Sequence, residues 1–281
     1  MMQRTGRYLG LMPIGVLLIV FLGLPIIAIL RFSLQDAKGG FTLTNFRTAM
    51  TGVYLDGILL SINLSLLSAL ISVVVGLLFA FGVARSRIKL LKNLVSTAAG
   101  VFANTGGVPL AFMFIASLGT YGMLTVWLRQ VGIDVYGGDW TLYSFSGLLI
   151  VYLYFQVPLM ILVSLPMIEG IKVEWREASQ TLGSSSGYFL RRVIVPVLAP
   201  QVLATYLLLF TNSFAAYATA AALTSGSIAL VPVQIASLIA SNVQVDGANI
   251  AMALGVCMVA IVAIAMSIYI SLERKVAKWR S

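Results

Sequence analysis

Lys172 to Pro196 reads KVEWREASQTLGSSSGYFLRRVIVP, with two glutamates and four basic residues set between stretches that are almost wholly apolar. A polar run of this length cannot lie in hydrocarbon, where each backbone group needs an internal partner, so it projects into water. A structured loop of mixed charge in that position exists to touch a soluble partner. The surrounding chain has 281 residues, 60% of them hydrophobic and 10% charged, with a mean hydropathy of +1.01. No soluble domain with an ordinary charged surface has that composition, so the sequence is that of an all-α integral membrane protein.

Marking every Lys, Arg, Asp and Glu leaves six charge-free windows, at 8–30, 57–84, 93–128, 140–168, 193–245 and 247–272. Each exceeds the ~20 residues that a helix needs to cross a bilayer. Spans are expected at about 9–30, 58–84, 94–118, 146–167, 197–222 and 249–272, forming one transmembrane domain over 1–281 with a polar loop at 168–196. With both termini inside, 14 basic residues fall on cytoplasmic segments, among them Arg4 and Arg7 at one end and Arg274, Lys275, Lys278 and Arg280 at the other. Only Arg31, Lys38, Arg47 and Arg129 fall outside, so the charge rule orients the chain N-in and C-in. Window 193–245 is long enough for two spans, but a second would place the C-terminal cations on the wrong face. Residues 228–240, opened by Gly226 and broken by Pro232, are instead expected to form a re-entrant or interfacial segment, and Tyr121 to Val131 a short interfacial helix. The net charge of +9 calls for no nucleic acid, because a basic inner rim facing anionic lipid accounts for it.

Tyr8 to Leu30 is longer than the apolar core of a leader and lacks a small-residue cleavage site, so a retained first helix is expected. Cys257 is the single cysteine and no histidine is present, which leaves no intramolecular disulfide, no cysteine metal cluster and no histidine base. No catalytic or metal site is expected. The spans carry no Asp, Glu, Lys or Arg, whereas proton and ion relays depend on such residues.

Within the loop, Val173 to Leu182 reads as an amphipathic helix, with Trp175, Ala178 and Leu182 on one face and Glu174, Glu177 and Thr181 on the other. Gly183 is placed to stop it, Ser184 to Ser186 to cap a second helix, and Pro196 to end or kink that helix where the fifth span begins. Gly183-Ser-Ser-Ser-Gly187 lacks the lysine of a phosphate-cradling P-loop. Taken alone, the loop helix could also lie flat on the inner leaflet.

The pattern Glu177-Ala178-Ser179, then Gly183, then Val193-Ile194-Val195-Pro196 resembles the EAA loop of permease subunits of binding-protein-dependent ABC importers. Leu165-Pro166 and Pro200 fit that family too, and six spans with the loop between the fourth and fifth extend the resemblance over nearly the whole chain. The resemblance implies a type I permease whose loop is a coupling helix, docked in a groove of a cytoplasmic ATPase. Glu177 would then pair with or cap groups in the groove, Ala178 would permit close approach and Gly183 would make the bend. Ser179 stands where the family usually has alanine, and is small enough to fit. ATP and Mg would be bound by the partner ATPase, with no cofactor on this chain. The other implied partners are a second permease subunit, identical or related, and an extracytoplasmic solute-binding protein at a bacterial inner membrane.

Along the fifth span Thr205, Asn212 and Thr219 recur every seven residues, with Ser213, Phe214 and Tyr217 beside them. This stripe either lines a translocation path or packs helices together. Ser61, Ser65, Ser68, Ser72 and Gly76 form a strip of small residues on the second span, better suited to close helix packing. The Phe41-Thr42-Leu43-Thr44-Asn45-Phe46 segment and the Asn212 to Thr219 run resemble permeases for polyamines, ferric iron, thiamine, sulfate or phosphonates, with a lean toward polyamines. Two rival readings stay open: a secondary transporter or channel without an ATPase, and a membrane scaffold whose loop only recruits a partner.

Overall fold

Apolar stretches without charges must satisfy their backbone internally, and a helix does so within one segment. The computed structural model describes residues 12–138, 140–241 and 246–280, and among these it holds no strand, only an isolated antiparallel bridge between Gln35 and Phe41. Six helical segments are long and apolar enough to cross a membrane: Pro13–Ser33, Gly52–Arg85, Gly107–Gln130, Phe145–Glu169, Ser186–Phe214 and Gly247–Leu272. Arg4 and Arg7, and the start of the first expected span, lie outside the described residues, as do the side chains of Arg274, Lys275, Lys278 and Arg280.

In chain order the helices are α1 (Met12–Leu18), α2 (Leu24–Ser33), α3 (Thr44–Ala49), α4 (Gly52–Arg85), α5 (Lys89–Asn104), α6 (Gly107–Leu118) and α7 (Met123–Gln130). They continue with α8 (Phe145–Glu169), α9 (Val173–Thr181), α10 (Ser186–Phe189), α11 (Val195–Phe214), α12 (Tyr217–Thr224), α13 (Val231–Ala240) and α14 (Gly247–Arg280). Wide π turns at Ile19–Gly23 and Leu190–Ile194 join α1 to α2 and α10 to α11. The chain divides into two compact units, one holding the segment up to Ile58 with Val231–Ile261, the other Leu59–Leu230 with the segment from Val262 on.

In the first unit the loop after α2 is tied down by its own side chains. Asp36 Oδ1 accepts from the Lys38 and Gly40 amides at 2.9 and 2.7 Å, closing a turn in which Gly39 takes φ +81°. The Ala37 amide donates to Asp246 Oδ1 at 3.0 Å, and Asn45 Nδ2 donates to the Ser33 and Gln35 carbonyls. Pro232 occupies the second position of α13, where its missing N–H costs nothing, so it begins this helix and does not break it. Gln234 Nε2 anchors α13 to the Val53 carbonyl at 2.8 Å.

In the second unit α4 lays its small-residue strip inward, with Ser61, Ser65, Ser68 and Ser72 all at most 3% exposed. Gly76 lies so close to α8 that a Cβ there would sit 2.6 Å from Met160 Cβ. The expected third span is interrupted at Thr105-Gly106, where Thr105 (ψ 86°) and Gly106 (ψ −170°) leave the helical region and Gly107, at φ +75°, opens α6. The expected fifth span likewise ends at Phe214 and resumes as α12 at Tyr217. Pro196 does not end the helix before it, since the π turn at Leu190–Ile194 absorbs the bond that proline cannot make.

Candidate functional site

α9 has no buried residue and turns into α10 at Gly183, whose φ of +73° demands glycine. Ser185 caps α10 by accepting from the Tyr188 amide at 3.3 Å. Ser179 shares a short hydroxyl–hydroxyl hydrogen bond with Ser184, and Thr181 Oγ1 donates to the Glu177 carbonyl at 2.9 Å. The result is an elbow whose inner angle is a groove of about 990 Å³ lined by Trp175, Ala178, Ser179, Leu182, Gly183 and Tyr188 among others. Leu182 and Tyr188 are 86% and 58% exposed. Glu177 is exposed and lies off the groove lining, on the other face of α9.

Both arms of the elbow are rooted in one apolar cluster. Ala80 from α4, Met167 and Ile168 from α8, and Leu198 from α11 form it, and Ile171 before α9 and Ile194 after α10 pack against it. Burial of such side chains is worth roughly 1.5–3 kcal/mol each in water, and the cluster fixes where the elbow leaves the bundle.

The polar interior is more divided than the stripe in the sequence suggests. Thr205, Ser213, Phe214 and Thr219 are each at most 4% exposed, whereas Asn212 is exposed and Tyr217 is 44% exposed. The helix break at Ala215-Ala216 separates Thr219 from the register of Thr205. Thr205 Oγ1 donates to the Gln201 carbonyl of its own helix at 2.9 Å. Thr219 Oγ1 instead accepts from the Gly107 amide at 2.8 Å and reaches the Gly107 carbonyl at 3.3 Å, so the breaks after α5 and α11 are bound together. Tyr152 of α8 donates to the Ala216 carbonyl at 2.9 Å, within that second break.

One polar node was not read from the sequence. Gln156 Nε2 meets Ser68 Oγ at 3.1 Å, and Ser68 Oγ meets Ser213 Oγ at 2.9 Å, joining α8, α4 and α11 in a fully buried chain. Gln156 Oε1 and Ser72 Oγ are buried there without a partner. The available signal was a lone amide in an otherwise apolar span.

The family model described as "Binding-protein-dependent transport system inner membrane component" matches residues 72–278, well over half of the chain. The chain belongs to this family, and with six apolar helices it is a multi-pass protein of a bacterial inner membrane. It is similar to the thiamine transport system permease protein ThiP of Haemophilus influenzae, 27% identical over 64% of this chain and 33% of ThiP. It is also similar to the sulfate permease CysT of Salmonella typhimurium, 30% identical over 50% of this chain and 48% of CysT. The spermidine/putrescine permease PotB of Salmonella typhimurium is 24% identical over 74% of both chains. The chain thus spans about a third of ThiP and about half of CysT. In fold it matches a chain of a bacterial ABC transporter involved in import of the acidic polysaccharide alginate, with a TM-score of 0.76 at 17% identity, over 98% of this chain and 96% of that one. The same fold recurs, at a TM-score of 0.75, in that transporter solved with an alginate pentasaccharide-bound periplasmic protein.

Proposed function

We propose that this chain is the permease subunit of an ATP-driven importer, oriented N-in and C-in, whose elbow at α9 and α10 is the coupling helix for a cytoplasmic ATPase. The observation that carries the reading is the elbow itself: an exposed, groove-bearing projection rooted at both ends in the cluster that joins α4, α8 and α11. Closure of an ATPase pair would pull on Glu177, Ala178, Ser179 and Gly183 and tilt those helices, switching a bundle that owns no charged relay of its own. ATP and Mg would reside on the ATPase, a second permease would complete the path, and a solute-binding protein would deliver a small polar solute, polyamines being the first class to test. Asn212 and Tyr217, the exposed members of the stripe, are the side chains assigned to the path, with Thr205, Ser213, Phe214 and Thr219 supporting it from within.

The test is uptake by vesicles containing the permease with its ATPase and binding protein. Glu177→Lys should abolish uptake while the protein stays in the membrane, because a reversed charge cannot take the same place in the ATPase groove. Unchanged uptake would overturn coupling through this elbow. Asn212→Ala and Tyr217→Ala should each raise the solute concentration needed for half-maximal uptake, and no change in either would assign the stripe to packing.

A further inference from the structure

Lys92 Nζ and Glu169 Oε1 form an ion pair at 2.8 Å, with the side chains 27% and 44% exposed. Lys92 stands in the first turn of α5 and Glu169 is the last residue of α8. Each charge sits at the end of its helix that the macrodipole disfavours, a cation at an N-terminus and an anion at a C-terminus. Neither residue is favoured by the dipole of its own helix, and the ion pair offsets that cost for both. Among the described residues this is the ion pair that joins two helices, since Arg129–Asp134, at 3.4 Å, closes over five residues of one segment.

The pair lies at the root of the elbow. Three residues separate Glu169 from α9, and the middle one, Ile171, packs on the cluster to which α4, α8 and α11 contribute and α5 does not. Farther along, α5 touches α8 through Phe102 and Tyr154, whose ring centroids are 5.6 Å apart. The ten residues from Lys92 to Phe102 cover about 15 Å of helix. α5 packs against α8 along its length, with an aromatic contact toward the break at Thr105-Gly106 and an ionic one where the two helices meet the elbow. Beyond the break, α6 is tied to α12 by Thr219.

We propose that Lys92–Glu169 is a strut that carries displacement of the elbow into α5, and through the break into α6 and α12; this rests on the coupling reading of the elbow. Lys92 and Glu169 are positioning residues. Their loss leaves ATP turnover intact and loosens its link to the rearrangement at the break, because the inner end of α5, still packed on α8, then follows the root of the elbow less closely.

The experiment uses the purified complex of permease and ATPase, with Cys257→Ala and Val108→Cys in the permease. Val108 is exposed beside the break, and the rate at which its replacement thiol reacts with a small maleimide is measured with and without ATP, Mg and vanadate. With Lys92 and Glu169 intact, trapping changes that rate. Lys92→Glu or Glu169→Lys alone should shrink the change by about fivefold or more, with ATP hydrolysis retained, and the double exchange should restore it. If Lys92→Glu fails to accumulate, Lys92→Ala carries the same test, since it removes a cation from a disfavoured helix end. Single variants that keep the full change, or a double exchange as defective as either single, would overturn the strut. A complex with both residues intact whose thiol rate ignores nucleotide would instead overturn the coupling reading.

Discussion

Gly76→Ala probes how tightly α4 and α8 are pressed together. The added Cβ would stand 2.6 Å from both Cβ and Cγ of Met160 and 3.3 Å from the Val157 carbonyl oxygen. Carbon atoms rest about 3.5–4.0 Å apart, so the shortfall is about 1 Å. Because the new atom and Met160 Cβ are both fixed to backbone, no rotamer relieves the clash, and the helices must separate. Overpacking of this kind costs roughly 1–3 kcal/mol, against which alanine regains up to ~1 kcal/mol of helix preference over glycine. A clash between two backbone-fixed atoms belongs at the upper end of that cost, so the net loss is about 2 kcal/mol, which lowers the melting temperature by roughly 4–8 °C in a chain of this size. Gly82 in the same helix has nothing within 4 Å of its hypothetical Cβ, so Gly82→Ala should melt at or above the parent temperature. Thermal unfolding of the purified protein in one detergent, followed by tryptophan fluorescence, compares the two. Met160→Ala retains the offending Cβ and should not rescue Gly76→Ala, whereas Met160→Gly should do so in part. A Gly76→Ala protein that melts with or above the parent chain would show that α4 and α8 are not pressed together at this point.

Ser68→Ala should lower the melting temperature more than Ser72→Ala, since it strips partners from both Gln156 and Ser213 while Ser72 Oγ has none to lose; interhelical bonds of this kind average ~0.6 kcal/mol and reach ~1.7. Equal melting of the two would show that the node carries no stability. Thr219→Val should cost about as much by unpairing the Gly107 backbone, and Thr205→Val, whose hydroxyl bonds only its own helix, should cost less; a reversed order in the same melt would refute the tie between the breaks. In a Cys257→Ala background, a cysteine at Lys38 should react with an impermeant thiol reagent in intact cells and one at Ser184 only after lysis. The opposite pattern would invert the orientation.

The spans were legible because exclusion from water is a property of each stretch on its own: a window without charges has to be helical in lipid, whatever it packs against. The elbow was legible for a similar reason, as Gly183 and Ser185 act on their immediate neighbours. What escaped was positional or tertiary. Pro196 and Pro232 read as breaks, yet Pro232 sits in the opening turn of its helix, where proline is tolerated, and Pro196 follows a π turn that sequence spacing alone does not announce. The seven-residue spacing of Thr205, Asn212 and Thr219 assumed one unbroken helix, and the break at Ala215-Ala216 is held by Tyr152 from another span. Gln156 gained its meaning from Ser68 and Ser213, residues far from it in the chain.

The first helical segment, Pro13–Ser33, has a most apolar window of which no part is buried in this chain. Its exposed residues are therefore loosely constrained by the subunit's own folding: at Ile14, Leu17 or Phe21 any side chain of similar oiliness serves equally. Inherited variation at those positions is filtered by insertion into lipid and by whatever neighbours the segment meets there. Damage from a polar replacement would surface as failed insertion or assembly, while the rest of the molecule folds as before.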